Sequence, residues 1–182
     1  MSKKVIVITG ASGTGKTTVS QYLKDKYNIP SVITHTTRKP RDGEVNGIDY
    51  YFESTNSFEE NHYLERVEYS NNKYGSSIEG LNKMWESNDL ISIVLDTAGA
   101  VSYYNKYKEN CVVIFLDLDE EIISDRLVNR GDEERRIDLR LSSEEFKRDL
   151  FLPNELKGHA FEIKNDDFEQ TTGQIDLIIE SL

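Results

Sequence analysis

The run Val5-Ile-Val-Ile-Thr9 leads directly into Gly10-Ala-Ser-Gly-Thr-Gly-Lys-Thr17, and Val19, Tyr22 and Leu23 follow at helical spacing. A continuous β-branched run of this kind belongs to a strand buried on both faces. Glycines allow the backbone to curl so that successive N–H groups point at one anion. The helix behind adds its own unpaired N–H groups and the positive end of its dipole. The pattern Gly-x4-Gly-Lys-[Ser/Thr] between strand and helix therefore predicts a nucleoside triphosphate site formed by Gly10, Ala11, Ser12, Gly13, Thr14, Gly15, Lys16, Thr17 and Thr18. Lys16 brings a charge to the β- and γ-phosphates, and Thr17 brings a hydroxyl to the Mg2+ ion that accompanies them.

The remaining pattern alternates strands and helices, as a parallel sheet with right-handed crossovers requires. Strands are expected over 5–9, 31–35, 90–95, 111–116 and 161–163, and helices over 17–27, 98–107, 119–129, 143–152 and 168–181. Residues 38–80 break that rhythm, with short strand-like pieces at 49–53, 63–69 and 73–76, and a mixed lobe over 34–80 is expected to be inserted in a core of 1–33, 81–125 and 143–182. Residues 126–142 are charged and poor in apolar side chains, consistent with a plain exposed connection or a lid; the arginine density favours the lid.

The chain has 182 residues, enough for one domain that needs no disulfide or metal staple. Its lone cysteine, Cys111, lies in an apolar run and is expected in the core. The net charge of −11 argues against nucleic acid and membrane as partners. No stretch approaches the ~20 apolar residues that span a bilayer, and the N-terminal run is too short for a signal peptide, so a soluble cytoplasmic protein is expected. Against this acidic background Arg126, Arg130, Arg135, Arg136 and Arg140 cluster within fifteen residues, and Arg38 and Arg41 form a second group. Such islands are local sites for small anions. His35, His62 and His159 have no ligand spacing and receive no role.

Arg38 and Arg41 flank Pro40, which stiffens the backbone, and two guanidinium forks can clamp a phosphate dianion. The stretch from Thr36 to Phe52, Thr-Thr-Arg-Lys-Pro-Arg-Asp-Gly-Glu-Val-Asn-Gly-Ile-Asp-Tyr-Tyr-Phe, resembles the guanylate kinases, whose pattern Thr-Thr-Arg-x-Pro-Arg-x-Gly-Glu-x-x-Gly-x-Asp-Tyr-x-Phe it meets at every fixed position. The segment from Tyr63 to Ser77 and the Arg-Leu-x-x-Arg-Gly stretch at Arg126 extend the likeness over nearly the whole chain. The resemblance implies a three-layer α/β P-loop fold with a parallel central sheet, an inserted monophosphate-binding lobe and a lid. It implies ATP and Mg2+, with the γ-phosphate passing to GMP or dGMP in a monomer or homodimer. By the same resemblance Arg38, Arg41, Tyr50 and Tyr74 hold the acceptor phosphate, and Glu65 reads the guanine edge. Ser76 meets the guanine carbonyl, and Thr34 stands where the family has serine. Arg126, Arg130 and Arg140 are the lid arginines beside Lys16, and Asn165 lies beside the ATP base. A carboxylate suits guanine because N1–H and N2–H2 are adjacent donors, whereas adenine would leave it unpaired.

The likeness breaks at Val94-Leu-Asp-Thr-Ala-Gly99, where the family has Asp-Ile-Asp-x-Gln-Gly. Asp96 remains and is expected to help hold magnesium. Val128, Asp132 and the proline-broken stretch after Phe151 also depart from the pattern. Two rivals stay open: the same fold with another nucleotide or a phosphorylated sugar as acceptor, and a non-catalytic interaction module. The intact phosphate loop speaks against the module, and Glu65 against the sugar.

Overall fold

The computed structural model describes residues 3–182 other than 70, 130 and 132. Four parallel strands form the central sheet in the order β6 (Leu90–Val94), β1 (Lys4–Thr9), β7 (Cys111–Asp117), β8 (Ala160–Lys164). The period of two sorts their side chains onto two apolar faces. Val5, Val7, Ile91, Ile93 and Val113 pack with Leu81 of α3 (Ile78–Ser87) and with Ala100 and Tyr103 of α4 (Thr97–Tyr107). Ile6, Ile8, Val112, Ile114 and Leu116 pack with Val19 and Leu23 of α1 (Lys16–Tyr27) and with Ile175 and Ile178 of α8 (Phe168–Glu180). The expected helix–sheet–helix layering is present. Cys111 is buried in the first of these faces, and burial pushes its thiol up to about 12. Among the described residues no helix is long and apolar enough to cross a membrane.

A third apolar cluster lies under the phosphate loop. Ala11 packs there with Ile123 and Leu127 of α5 (Glu120–Asn129), Ile137 of α6 (Glu134–Leu141) and Phe146 of α7 (Glu144–Asp149). Part of the stretch expected as a connection or lid is thus helical, held to the body chiefly by Ile137. The helix expected over 143–152 stops at Asp149, four residues ahead of Pro153, whose constraint on Leu152 keeps it from running to 152.

The second sheet is mixed, in the order β3 (Tyr50–Phe52), β2 (Thr34–Thr36), β5 (Asn72–Ser77), β4 (Tyr63–Tyr69), with the short helix α2 (Thr55–Glu59) between β3 and β4 in the chain. Only β2 and β3 run parallel; the other pairs are antiparallel. The strand expected over 31–35 divides between the sheets. Ser31 bridges Ser92 at the edge of the core sheet, and β2 begins three residues later in the lobe.

His35, given no role by sequence, is the clasp of this lobe. Its Nδ1 lies 2.9 Å from Glu53 Oε1 and its Nε2 3.1 Å from Ser77 Oγ. The consistent proton arrangement has Nδ1–H donating to the carboxylate and Nε2 accepting from the serine. The Ser77 oxygen also caps α3 by accepting from Gly80 N–H. A Ser-His-Glu order outlines a nucleophile relay, but two nearby N–H groups are already spent. Ile78 N–H donates to His62 O, and Gly80 N–H to Ser77 itself. Neither is open to hold an oxyanion, so the relay ties β2, β3 and α3 together.

Leu23 is fully buried and fastens α1 to the sheet behind the phosphate loop. Leu23→Ala should therefore lower unfolding free energy by about 2–5 kcal/mol in urea titration, whereas Leu177→Ala, on the exposed side of α8, should change it by less than about 0.5 kcal/mol.

Candidate active site

The phosphate loop is shaped by close approaches that exclude side chains. Gly10 has φ +129°, and a β-carbon there would strike the Leu116 carbonyl. Gly15 has φ +97°, and its β-carbon would fall on the Asn165 amide nitrogen. That amide donates to Thr14 O at 2.7 Å, and Asn165 is 3% exposed. The loop after the first strand is thereby tethered to the end of the last one. Lys16 folds across the loop, its Nζ 2.7 Å from both Gly10 O and Ala11 O. Thr17 and Thr18 follow in the first turn of α1.

Two of the expected lid arginines meet this loop. Arg126 donates from Nη2 to Asn165 O at 2.8 Å, and its Nη1 is 3.7 Å from where a Gly15 β-carbon would sit. Arg140 donates from Nη1 to Ser12 Oγ at 3.2 Å. Arg130 lies outside the described residues.

The acceptor-side candidates share one face of the lobe sheet. Strand register pairs Thr34 with Tyr50, Thr36 with both Phe52 and Tyr74, Val67 with Tyr74, and Glu65 with Ser76. Partners in register point the same way, so Thr34, Tyr50, Tyr74, Ser76 and Glu65 project together while His35, Tyr51 and Gly75 project behind. Arg38 lies over the rings of Tyr50 and Phe52, 5.3 and 5.7 Å from their centroids. Its fork is bidentate on Glu44, with both contacts at 2.9 Å, and Glu44 also accepts the Arg41 N–H at 2.7 Å. Burial disfavours both charges, yet the pairing wins: Arg38 is held above its ordinary range and Glu44 below the usual carboxylate range. Arg41 Nη1 stands 3.8 Å from the same carboxylate.

At the other end of that face the lobe meets the core. Glu65 Oε2 lies 3.2 Å from where a β-carbon of Gly99 would be, and Ser76 Oγ donates to Glu65 Oε1 at 3.1 Å. Burial first, and the Asp96 carboxylate second, push Glu65 up to about 7 against the bonds it accepts from Ser76. Asp96 caps α4, accepting Gly99 N–H at 2.7 Å on Oδ1 and Arg148 Nη2 at 2.6 Å on Oδ2. Arg148 also reaches Asp149, which is 1% exposed and accepts the Thr97 hydroxyl.

A family model described as Guanylate kinase matches residues 2–182. The chain belongs to the guanylate kinase family. A guanylate kinase of Rickettsia felis is 37% identical over 96% of this chain and 92% of its own length. One of Neisseria gonorrhoeae is 31% identical over 94% of this chain and 84% of its own. The crystal structure of guanylate kinase from Anaplasma phagocytophilum, 23% identical, shares the fold with a TM-score of 0.69 over 99% of this chain and 85% of that one.

Within this guanylate kinase fold, two of the expected site residues already have protein partners. Asp96, expected on magnesium, has both oxygens engaged by Gly99 and Arg148 on the Glu65 side. Ser76, expected on the guanine carbonyl, spends its hydroxyl proton on Glu65. Val94, at the position where the family motif has aspartate, packs against the apolar face that holds Ile8 and Ile114. Sequence reasoning missed Glu44, Tyr103, Arg148 and Asp149. Glu44 stood inside the quoted motif, and its spacing from Arg38 and Arg41 was the available signal. The others come together only through the fold.

The Asn165 tether is testable without any ligand. Asn165→Ala leaves the buried Thr14 carbonyl without this donor and should cost about 1–3 kcal/mol of stability in chemical denaturation.

Proposed function

We propose that this guanylate kinase family member transfers the γ-phosphoryl group of ATP to GMP or dGMP, giving ADP and GDP or dGDP. The observation that carries the reading is the lobe face on which strand register aligns Tyr50, Tyr74, Ser76 and Glu65, with a guanidinium cluster at one end and a buried carboxylate at the other. A nucleoside monophosphate has that same polarity, an anion at one end and a base edge at the other. Arg38, Arg41, Tyr50 and Tyr74 hold its phosphate, and Glu44 keeps the Arg38 fork aligned beforehand. Glu65 accepts from guanine N1–H and N2–H2, and Thr34 lines the same face.

On the donor side, residues 10–18 cradle the triphosphate, and Asn165 fixes the loop beside the ATP base. Lys16 exchanges loop carbonyls for β- and γ-phosphate oxygens. Arg126 and Arg140, with Arg130, act as lid residues of segment 126–142 that neutralise the transferring group once water is excluded. No general base is assigned, because a phosphate acceptor is already an anion. Thr17 offers one hard oxygen donor in the first helical turn, which suits an Mg2+ ion carried chiefly by phosphates. When bound, that ion spreads the charge of the phosphates. Asp96 belongs with the acceptor base, beside Glu65. Positioning and charge neutralisation supply the catalysis.

The test is a coupled assay of the purified protein with ATP, Mg2+ and each nucleoside monophosphate. Turnover should be highest with GMP or dGMP, and Lys16→Ala should lower kcat by about 10²-fold or more. Turnover confined to another nucleotide would move the acceptor. No turnover with any guanine nucleotide would overturn the proposal.

Glu65 also links the site to stability. Its pKa rises from 4.5 in the ordinary case to about 7 here, so between those values the folded state holds a proton that the unfolded state releases. Its contribution to stability is then full at low pH and lost as pH rises through about 7. Glu65→Gln, which cannot ionise, should melt at a higher temperature than the parent at pH 8 while losing guanine selectivity. Equal melting temperatures at pH 8 would show that the carboxylate is not strained by burial.

A further inference from the structure

Tyr103 takes no part in the sites described so far, yet its hydroxyl ends in the base pocket. It lies on α4 with 0% exposure, and its Oη donates to Ser76 Oγ at 2.8 Å. Ser76, equally buried, donates onward to Glu65 Oε1 at 3.1 Å. A serine hydroxyl has one proton and two lone pairs. Here the proton goes to the carboxylate, and a lone pair receives the tyrosine. Three side chains from three elements, α4, β5 and β4, thus form one aligned chain of donors ending on a single carboxylate oxygen.

We propose that Tyr103 is a positioning residue for base recognition: through Ser76 it favours the ionised, acceptor-only form of Glu65 and thereby strengthens the preference for guanine. This deepens the reading of Glu65 given above and rests on it. The charged form of Glu65 is opposed by burial and by Asp96 at the start of α4, itself flanked by Arg148 and Asp149 of α7. Tyr103 is a further titratable group beside it, and burial holds that phenol protonated well above the ordinary range. A neutral, permanently protonated donor is what the relay needs at its head. Hydrogen bonds in series polarise one another, so the tyrosine strengthens the bond Ser76 gives to the charged oxygen.

The consequence is selectivity. An ionised Glu65 offers two acceptors to the adjacent donors of guanine. A protonated Glu65 offers one donor and one acceptor, which matches the N1 acceptor and N6–H donor of adenine. Removing the Tyr103 hydroxyl should raise the protonated fraction at neutral pH, weakening GMP and admitting AMP.

The experiment is a set of pH–rate profiles for the full-length parent, Tyr103→Phe and Glu65→Gln, with GMP and AMP as acceptors. In the parent, kcat/KM for GMP should fall as pH drops through about 7, the range in which Glu65 takes up its proton. In Tyr103→Phe that limb should move up by about half a pH unit or more, with KM for GMP raised several-fold at neutral pH and kcat little changed. The defect should close by about pH 9, where Glu65 is ionised in both proteins. The GMP-to-AMP ratio of kcat/KM should drop several-fold at neutral pH. A loss of equal size at every pH, or an unmoved limb, would overturn the proposal and leave Tyr103 a packing residue. Glu65→Gln should abolish the acid limb; if the limb survives that change, the assignment of Glu65 has failed rather than that of Tyr103. Should Tyr103→Phe not fold, Ser76→Ala removes the relay's middle member and must shift the limb in the same direction.

Discussion

The bond from the Asn165 amide to the Thr14 carbonyl joins the end of β8 to the loop after β1. Everything on the donor side is built around it. It requires glycine at position 15, because any β-carbon would occupy the place of the amide. It brings Arg126 to the loop rim through the Asn165 carbonyl. A phosphate cradle works only if its N–H groups are already aimed, since reorganising them on binding would waste the interaction. The last strand, far along the chain, supplies that fixity to the first loop.

The acceptor side obtains its order differently. The lobe strands are short, and it is their pairing register that gathers Thr34, Tyr50, Tyr74, Ser76 and Glu65 on one face. A slip of one residue would send all of them to the back. The His35 clasp on the reverse face, with Glu53 and Ser77, works against such a slip. Function occupies one side of the sheet and register control the other. Glu65 then bears the tension between stability and recognition: burial that sharpens its reading of a base also strains its charge.

Much of this was legible in the chain itself. The phosphate loop, the core strands and β4 are visible because apolar runs and glycine spacing follow from local geometry, and β4 falls on the residues expected for it. Helix α3 was overlooked although Ile78, Leu81, Met84 and Trp85 carry helical spacing and Ser77 is a proper cap. Helix α6 was harder, since only Ile137 is buried and charge dominates the rest. The partners of Asp96 were not legible, because Arg148 and Asp149 come from α7 and no local pattern announces that meeting. Tyr103 sits on the apolar face of its helix and looks like plain core until Ser76 is found against its hydroxyl.

The central claim is that the loop at residues 10–18 and the lobe face around Arg38 and Glu65 are two halves of one phosphoryl-transfer site. Calorimetry with a bisubstrate analogue, adenosine and guanosine joined through a polyphosphate chain, addresses this directly. The account predicts one molecule bound per chain, much more tightly than either ATP or GMP alone, with affinity reduced by both Lys16→Ala and Arg38→Ala. Binding no tighter than ATP, or insensitive to Arg38, would contradict it.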